Sequence, residues 1–578
     1  MRKINLYFNT IKKLSIQQIY YRLLFYFKRK FIYIYALFFN FSFHLYLNKI
    51  KSKELESVNN YTYVNKKRYT NMKDSDILQY KFTFLNKTLY FKDSINWNIN
   101  ESETGTRLWA FHLHYLEYLV DLSKSYYDDL DKDKISFIKS TIRDWSISNP
   151  LNNAKNDYAA WSRYSVSTRI ISLIRINYFL YKADNKDIEF LKFLNSLIAK
   201  HALFIKNNLE LDILGNHIIR NYKALIFSSI FLKDRKLRLL ADQVFNKHIK
   251  NQFDIKSGMH SELSPMYASV VAEDLMDIYL LTNMSRLKNI ITKLLNCLNH
   301  LSVNDQYFFF NDSVNNFAPK NSYLQNYNKF LGLSSKEEIY HSDISGIILY
   351  PTGGHQARDK NNNVIFAVNC SNPDMQDGHY HCSNLSFELF FNNEKIFTNS
   401  GVYGYSNNYL RNEFRSTSYH NTLQYKDLEQ SEIWSLFRVA RRAKSSYRYK
   451  EKNNGFKIYS SVEGFNFNHI IKHNREINFQ DNCLSIIDSV YDNKVQVFGD
   501  SRVFFHLSND LDISVLNDKA VLISCLGKDI CQFQSNIPIK IEETLLSKEF
   551  GLLDKKKTIV LEDKNYDSNF ESKIVFFK

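Results

Sequence analysis

Hydrophobic residues recur at helical spacing between about residues 105 and 305. Asp187 can cap a helix whose apolar residues fall every three or four positions: Ile188, Leu191, Leu194, Leu197 and Ile198. Residues 217–232 are apolar on nearly every face, as expected of a helix packed on two sides. Ser264 followed by Pro265 is typical of a helix start. Consecutive helices with short loops predict paired antiparallel helices.

After about residue 340 the apolar spacing changes to two. Apolar residues alternate along one segment: Leu385, Phe387, Leu389 and Phe391. Similar short runs follow at 456–462, 470–479, 484–490, 503–507 and 511–525. Short strands without intervening helices predict an antiparallel sandwich. Helices first and strands second predict an α+β chain of two domains, with a boundary near 305–345.

Length and charge narrow the classes of protein. A chain of 578 residues is long enough for two large domains. Its formal charge of +16 suits nucleic acid, an anionic membrane or an acidic glycan, although lysine-rich coding bias alone would give the same charge. Because no nucleic-acid-binding motif is present, no nucleic-acid partner is predicted. Six cysteines without a CxxC pair, including Cys525 and Cys531, are expected to be small core residues.

The first 50 residues read as an N-terminal arm that is basic and aromatic. Residues 1–30 lack the short apolar stretch and small-residue cleavage site of a signal peptide. Residues 31–47 are apolar but short for a bilayer span, and Asn40, Ser42 and His44 interrupt them. A helix that lies on a membrane surface, or that packs on the helical domain, is favoured over a transmembrane helix.

Three places in the chain carry candidate chemistry. His379 and His381 point the same way in an extended segment and could bind a metal with a third ligand such as His420, or be two surface histidines beside a turn. Asn216 and His217 begin an apolar helix, where they could receive an anion or simply cap it. Tyr267 in the first turn after Ser264 and Pro265 would ordinarily be a packing residue.

Several segments together resemble the heparinase II/III-like polysaccharide lyases, which include oligoalginate lyases. Each segment is short, but their order and spacing make the resemblance specific from about residue 105 onward. The opening KLSIQQIYYRL (13–23) is also similar to relatives from capsule or exopolysaccharide loci. The segments are LWAFHLHYLEYL (108–119), WSRYSVSTRI (161–170), GNHIIRNYKAL (215–225), SGMHSELSPMY (257–267), GHYHCSNLSFEL (378–389), FRSTSYHNTL (414–423) and WSLFR (434–438).

The resemblance implies an incomplete (α/α) toroid followed by an antiparallel β-sandwich, with the substrate cleft between them. The expected domains are therefore an arm (1–50), a toroid (51–335) and a sandwich (336–578). The family's carboxylate-neutralising pair falls on Asn216 and His217. Its catalytic tyrosine falls on Tyr267 and its catalytic histidine on His379.

A structural zinc ion is also implied, with ligands at His381, His420 and a position that is normally aspartate and is here Asn399. A neutral amide is a poorer zinc ligand than a carboxylate, so we expect zinc to be weakly held or absent. Ser383 also replaces a frequent aspartate, and Arg220 replaces a glutamate of some relatives. No organic cofactor is implied.

The implied reaction is β-elimination on an acidic, uronate-containing polysaccharide. If the substrate is a polyanion, arginines can grip its carboxylates through two parallel hydrogen bonds. We expect these substrate-binding residues along the cleft: Arg169, Arg220, Arg411, Arg415 and His114. The alternative is that the arginines only brace the interface between the two domains.

Other functions compete with this one. The main rival is a catalytically inactive glycan-binding or capsule-assembly protein that keeps the lyase fold. A glycoside hydrolase would need two placed carboxylates, such as Glu262 and Asp377, and a glycosyltransferase would need a nucleotide-sugar motif, which is absent. The sequence specifies neither the glycan nor the oligomeric state. The resemblance favours the cell envelope or periplasm, whereas the absence of a signal peptide leaves a cytoplasmic or membrane-associated location open.

Overall fold

Two compact units make up the chain in the computed structural model. The helical unit comprises Leu14–Gln252 and Glu273–Lys288, and the strand unit comprises Met1–Lys13, Phe253–Ala272 and Asn289–Lys578. The structure describes residues 2–51, 70–152, 157–183, 186–333, 342–344, 346–351, 364–372, 378–406, 409–452, 455–465, 471–497, 499–563 and 569–577.

Helices dominate the first 330 residues. They are α1 (Arg2–Ile11), α2 (Ile16–Lys30), α3 (Ile32–Lys51), α4 (Asp74–Leu78), α5 (Glu101–Thr104), α6 (Arg107–Tyr115), α7 (Glu117–Asp129), α8 (Lys132–Ser148), α9 (Asp157–Ala160), α10 (Arg163–Lys182), α11 (Ile188–Asn207), α12 (Gly215–Phe231), α13 (Arg235–Val244), α14 (Pro265–Thr282), α15 (Ser285–His300) and α16 (Asn321–Phe330), with the short α17 (Tyr409–Arg415) later in the chain.

The helix starts agree with the sequence signals. Asp187 accepts a hydrogen bond from the backbone N–H of Phe190 (3.0 Å) and so caps α11. Ser264 accepts from the N–H of Tyr267 (3.1 Å), which caps α14 directly before Pro265. Both predicted helix starts are confirmed. None of the helices in the described ranges is both long enough and apolar enough to cross a bilayer.

Antiparallel strands fill most of the chain after residue 340. The strands are β1 (Lys81–Phe84), β2 (Lys87–Tyr90), β3 (Ser302–Val303), β4 (Gln306–Tyr307), β5 (Ser342–Ile344), β6 (Ile347–Pro351), β7 (Val364–Asn369), β8 (Phe387–Phe391), β9 (Glu394–Phe397), β10 (Leu423–Tyr425), β11 (Ile433–Trp434), β12 (Arg438–Val439), β13 (Lys444–Lys452), β14 (Gly455–Gly464), β15 (Ile471–Gln480), β16 (Cys483–Asp492), β17 (Val495–Val497), β18 (Ser501–His506), β19 (Asp512–Asn517), β20 (Ala520–Cys525), β21 (Lys528–Ser535), β22 (Ile539–Leu546), β23 (Asp554–Asp563) and β24 (Phe570–Phe576).

Three larger sheets of the strand unit share one hydrophobic core. Their strand orders are β5-β6-β7-β8-β9, β10-β18-β23-β22 and β13-β14-β15-β16-β24-β21-β20-β19, with β17 on the edge of β16. Phe387 of β8 lies against Phe397 of β9 (5.7 Å between ring centroids) and Phe505 of β18 (6.1 Å). The chain is therefore a mixed helix-and-sheet protein, and the toroid and sandwich arrangements stay predictions.

Two sequence expectations differ from the structure in detail. The run 511–525 forms two strands, β19 and β20, which pair with each other through a turn at Asp518 and Lys519. Its apolar alternation is local and does not reveal the reversal of the chain. The expected boundary near residue 335 lies outside the described residues, and residues 253–272 and 289–333 group with the strand unit rather than with the helices.

All six cysteines are free thiols, and the expectation of small core residues is confirmed for the four that are buried, whereas Cys483 and Cys525 are partly exposed. Cys525 and Cys531 lie on the paired strands β20 and β21, but not in facing positions.

A buried ion network in the large sheet gives a testable pH dependence. Asp488 accepts hydrogen bonds from Arg475 Nε (2.6 Å) and His473 Nε2 (2.6 Å). Burial by itself would raise the pKa of Asp488, but Arg475 and His473 lower it to about 2. A depressed carboxyl pKa stabilises the fold above the unfolded value of about 4, and this contribution is lost as pH falls through the folded value.

We therefore expect Asp488→Asn to lower the free energy of unfolding at pH 7 by roughly 2 kcal/mol or more, since two pKa units correspond to about that amount. Urea unfolding should show this difference shrinking as pH falls from about 4 towards 2. Asp529→Asn on the exposed end of β21 is the control and should change little. A difference independent of pH would contradict this assignment.

Candidate active site

The buried carboxylate of Asp312 organises one end of the strand unit. It is fully buried and accepts hydrogen bonds from His379 Nδ1 (2.7 Å), His381 Nε2 (2.7 Å) and Arg411 Nη2 (2.8 Å). Burial alone would raise the pKa of Asp312, but the Arg411 guanidinium and the two histidine hydrogen bonds hold it well below its usual range. Asp312 is therefore ionised and accepts from all three side chains.

Backbone contacts lock Asp312 to the histidine segment. The N–H of Asp312 donates to the carbonyl of His379 (3.1 Å), and the N–H of His381 donates to the side chain of Asn311 (3.1 Å). Asn311 adopts a positive φ of 54°, a conformation that asparagine tolerates better than most residues. This turn follows a buried Phe run (308–310) and directs Asp312 towards the histidines.

An ionised carboxylate can only accept hydrogen bonds, so its partners must carry the protons. His379 therefore carries a proton on Nδ1, so that the lone pair is on Nε2 whenever the ring is neutral. An imidazole held in this way can take up a proton on Nε2 while Asp312 keeps its orientation.

Tyr267 lies directly against this histidine. The ring centroids of Tyr267 and His379 are 3.9 Å apart, and the Tyr267 hydroxyl is 2.9 Å from the hydroxyl of Tyr405. Tyr405 also packs against Arg411, whose guanidinium is 5.0 Å from the ring centroid. The structure brings Tyr267 and His379 together as predicted, while their catalytic roles stay predictions.

In the helical unit, a second carboxylate–histidine pair stands at the start of α12. His217 Nδ1 is 2.9 Å from Glu210 Oε1, and Asn221 donates to the other oxygen of Glu210 (2.9 Å). Burial would raise the pKa of Glu210, but His217, Arg163 and Asn221 lower it. Glu210 is thus an anion that holds the His217 ring in place.

Asn216 and His217 differ in accessibility. Asn216 is 3% exposed, whereas the His217 side chain retains 32%. Tyr164 packs edge-on against His217, with centroids 4.9 Å apart. The prediction that this pair works within roughly 10 Å of Tyr267 and His379 stays a prediction.

The five expected substrate-binding residues are in the protein interior. Arg169 and His114 are fully buried, and Arg169 donates to the carbonyls of His114 (2.9 Å) and Ala160 (2.7 Å). Arg415 is also fully buried and donates to the carbonyls of Tyr380 and Ser435.

Arg411 is 2% exposed and donates a hydrogen bond to Asp312. Arg220 is 9% exposed and forms an ion pair with Asp274 (2.9 Å). Their hydrogen bonds and ion pairs in the described residues go to other protein groups, which favours a bracing role. A role of these arginines and His114 in glycan binding stays a prediction.

The expected zinc ligands meet only in part. His381 Nδ1 and His420 Nε2 are 3.1 Å apart, and His420 Nδ1 is 2.6 Å from the carbonyl of Ser416. A carbonyl only accepts, so His420 carries its proton on Nδ1, and His381 carries its proton on Nε2 towards Asp312. Two lone pairs thus face each other, and two zinc-bound nitrogens would be a similar distance apart, about 3.3 Å.

The third ligand does not fit. Asn399 accepts a hydrogen bond from the N–H of Asn421 (3.2 Å), the residue after His420, and its buried Nδ2 has no hydrogen-bond partner in the described part of the chain. Within those described ranges, no cluster of three or more His, Cys, Asp or Glu side chains could hold a metal ion. The residues present lack the anionic ligand of a structural zinc site. No catalytic step depends on a zinc ion.

Sequence reasoning missed Asp312, Glu210 and Tyr405. Asp312 and His379 are 67 residues apart, and no local motif links them. The local signal was an Asn-Asp pair after three consecutive phenylalanines (308–310). Of the two carboxylates considered for a hydrolase, Glu262 is 8% exposed and Asp377 lies outside the described residues.

Comparisons with known proteins identify the family of the chain. The profile "Heparinase II/III N-terminus" matches residues 11–339, and the profile "Heparinase II/III-like, C-terminal" matches residues 346–575. The chain therefore belongs to the heparinase II/III family of polysaccharide lyases. A search of curated protein sequences found no match.

Solved structures share the fold. The heparan sulfate lyase HepC from Pedobacter heparinus is 19% identical with a TM-score of 0.59, covering 94% of this chain and 89% of its own. A structure of heparinase III is 17% identical with a TM-score of 0.74, covering 95% and 91%. The heparinase III product BT4657 is 17% identical with a TM-score of 0.64, covering 87% and 83%. At these identities the likeness shows the fold alone.

Removing the Arg411 guanidinium should destabilise the protein. We expect Arg411→Gln to cost roughly 3–5 kcal/mol of unfolding free energy, because Asp312 would stay buried without its main cation. Arg502→Gln, at an exposed pair with Asp427, should cost about 1 kcal/mol or less. Urea unfolding of both variants measures this, and equal stability of the two would contradict a bracing role for Arg411.

Proposed function

We propose that this chain cleaves an acidic, uronate-containing polysaccharide by β-elimination. The observation that carries the proposal is the contact between Tyr267 and His379, with His379 oriented by the ionised Asp312. An acid and a base beside each other are what removal of one proton and departure of one oxygen require. One structural relative is named a heparan sulfate lyase, which favours an acidic substrate.

The proposed reaction breaks two bonds of the sugar. A base takes the proton from C5 of the uronate, the C4–O bond breaks, and a C4–C5 double bond forms. His379 Nε2, or Tyr267 as a phenolate, takes the C5 proton. Tyr267 gives a proton to the departing oxygen at C4. All protons and electrons balance without a redox cofactor.

Tyr405 is suited to support the proton transfer. Its hydroxyl is 2.9 Å from that of Tyr267, so a hydrogen bond can fix the position of the reacting oxygen. Burial, and after it the Asp312 charge, holds the pKa of Tyr405 well above its usual value. Tyr405 therefore stays neutral, and its hydroxyl can donate to Tyr267 when Tyr267 has lost its proton.

The negative charge that develops during C5 proton removal must also be stabilised. We assign this role to Asn216 and His217, whose amide and imidazole can donate hydrogen bonds to the uronate carboxylate. Because His217 Nδ1 faces Glu210, donation from Nε2 requires the doubly protonated ring. The Glu210 carboxylate balances the charge of that ring.

The alternative is a glycan-binding protein that keeps the lyase fold without activity. The neutral Asn399 at an expected ligand position favours this alternative, since it suggests a site that is no longer maintained. The intact Tyr267, His379 and Asp312 arrangement favours the enzyme. A binding protein would hold the glycan and leave its ultraviolet absorbance unchanged.

The function test uses the full-length chain and a panel of uronate polymers that includes the producing cell's own capsule. We expect the ultraviolet absorbance of a C4–C5 unsaturated uronate to appear with at least one polymer. Tyr267→Phe should lower turnover by roughly 10²–10⁴-fold, the usual contribution of general acid–base catalysis, with little change in glycan affinity.

Tyr307→Phe is the matched control, because Tyr307 is equally buried and also loses one hydrogen bond, to the carbonyl of Pro319. It should leave turnover nearly unchanged. Glycan binding without any unsaturated product would support the inactive protein instead. Equal activity of the two variants would remove Tyr267 from the mechanism.

We further propose that zinc binds weakly at His381 and His420, because the third position offers only an amide. Elemental analysis of freshly purified, untagged protein should give well under one zinc per chain. Asn399→Asp should raise the zinc content, since a carboxylate would keep the bond from Asn421 and replace the unsatisfied Nδ2 by an anionic oxygen. One tightly held zinc per wild-type chain would contradict this proposal.

A further inference from the structure

The N-terminal arm carries much of the chain's net charge. Residues 1–53 contain eleven Lys and Arg and no Asp or Glu, so that under a tenth of the chain accounts for +11 of the formal charge of +16. Two of its helices, α2 and α3, belong to the helical unit. Each of these two helices has one face that contacts the helical unit and one face that is exposed.

Helix α3 is attached by one face. Ile32, Ala36 and Phe39 are buried at a spacing of four and three residues, and Phe39 packs edge-on against Phe204 of α11 (6.1 Å). Tyr46 at its far end donates a hydrogen bond to Asp234 (2.7 Å). These contacts fix which side of α3 faces away from the unit.

The opposite face of α3 is also apolar. Its outward residues are large and at least half exposed: Tyr33, Ile34, Leu37, Phe38, Phe41 and Leu45. On a helical wheel this stripe is centred opposite Ile32, Ala36 and Phe39. Leu37 and Phe38 retain 72% and 69% exposure. A helix that is apolar on both sides is normally covered on both. The outer face of α3 is therefore an exposed apolar surface of the kind that binds a partner.

Helix α2 repeats the pattern. Lys28 and Arg22 bind its inner side to the carbonyls of Asn207 (2.8 Å) and Asp212 (3.3 Å). Its outward apolar residues recur every three or four positions: Ile16, Tyr20, Leu23 and Phe27. Arg29 and Lys30 are exposed at its C-terminal end. The outer face thus combines aromatic and aliphatic side chains with cations at its border.

We infer that the outer faces of α2 and α3 bind the surface of an anionic lipid bilayer. Apolar and aromatic side chains would enter the boundary between headgroups and acyl chains, and the bordering Lys and Arg would meet lipid phosphates. The complete lack of acidic side chains in residues 1–53 removes the repulsion that such a surface would otherwise exert. This inference does not rest on the glycan chemistry.

A second copy of the chain is a poorer occupant for this surface. Two copies facing each other through residues 1–53 would bring eleven cations against eleven, with no Asp or Glu side chain in either segment to offset them. An anionic bilayer meets the same charge with attraction. Charge therefore selects the lipid surface over self-association.

The test uses the full-length protein and vesicles of phosphatidylcholine with or without about one third phosphatidylglycerol, followed by flotation. We expect binding to the anionic vesicles, weaker binding to neutral vesicles, and partial release as salt screens the charges. The triple variant Leu37→Glu, Phe38→Glu and Phe41→Glu should lose about tenfold or more of the affinity, because it removes the inserting side chains and adds repulsion. Its thermal unfolding should match the wild type, since all three side chains point outward.

The matched control places the same three charges elsewhere on the helical unit, as Ile147→Glu, Ile188→Glu and Leu239→Glu, all at exposed apolar positions. This variant should bind anionic vesicles nearly as well as the wild type. Equal loss in both variants would show a general charge effect and overturn the inference.

Absence of wild-type binding to anionic vesicles would also overturn the inference. So would concentration-dependent dimers in light scattering that the α3 variant abolishes, because a second copy would then be the occupant. Neither readout involves a glycan, so failure here is distinct from failure of the proposed lyase activity.

Discussion

The strand unit depends on one buried negative charge. Asp312 has no exposed surface, and an isolated carboxylate in such a place would be strongly unfavourable. The two-pronged contact of Arg411 and the hydrogen bonds of His379 and His381 make its burial tolerable. Because each of these partners is needed to satisfy the carboxylate, their positions are fixed together. The orientation of His379 towards Tyr267 is thus a consequence of electrostatics in the core.

Several arginines of the family-like segments act as internal braces in the same way. Arg169 and Arg415 are fully buried and donate mainly to backbone carbonyls, and Arg411 is committed to Asp312. The guanidinium fork suits such places because it offers five donors in a fixed plane. The same property that makes arginine a good carboxylate ligand therefore makes it a good internal brace. Sequence alone cannot distinguish the two uses, since burial decides between them.

Local signals predicted the secondary structure well. Asp187 and Ser264 cap the helices that their positions indicated, because capping acts over only three residues. The apolar alternation around Phe387 likewise marks a strand, because this signal also acts over only a few residues. The paired strands β19 and β20 were merged into one run, because apolar residues continue on both sides of their turn.

Long-range features were harder to predict. The contact of Asp312 with His379 joins segments 67 residues apart, and nothing in the local pattern of either segment requires the other. Resemblance to a family placed Tyr267 and His379 as a pair without indicating what holds them. The grouping of residues 253–272 with the strand unit was likewise hidden, since the segment ends in the first turns of α14.

Two carboxylate–histidine pairs show how one arrangement can serve two kinds of chemistry. In the strand unit, Arg411 donates hydrogen bonds to both oxygens of Asp312, so the carboxylate has a cationic partner besides the two histidines. A neutral ring with its proton on Nδ1 has a lone pair on Nε2, which suits a base. The presence of Arg411 beside Asp312 therefore favours a role of His379 as a base.

In the helical unit, the main group that lowers the pKa of Glu210 is His217 itself. Glu210 faces His217 Nδ1, so His217 donates from Nε2 only when its ring carries both protons. A donor is what the carboxylate of a uronate requires, and a base is what its C5 proton requires. In the proposed mechanism, two histidines that contact their carboxylates in the same way, through Nδ1, therefore take opposite tasks.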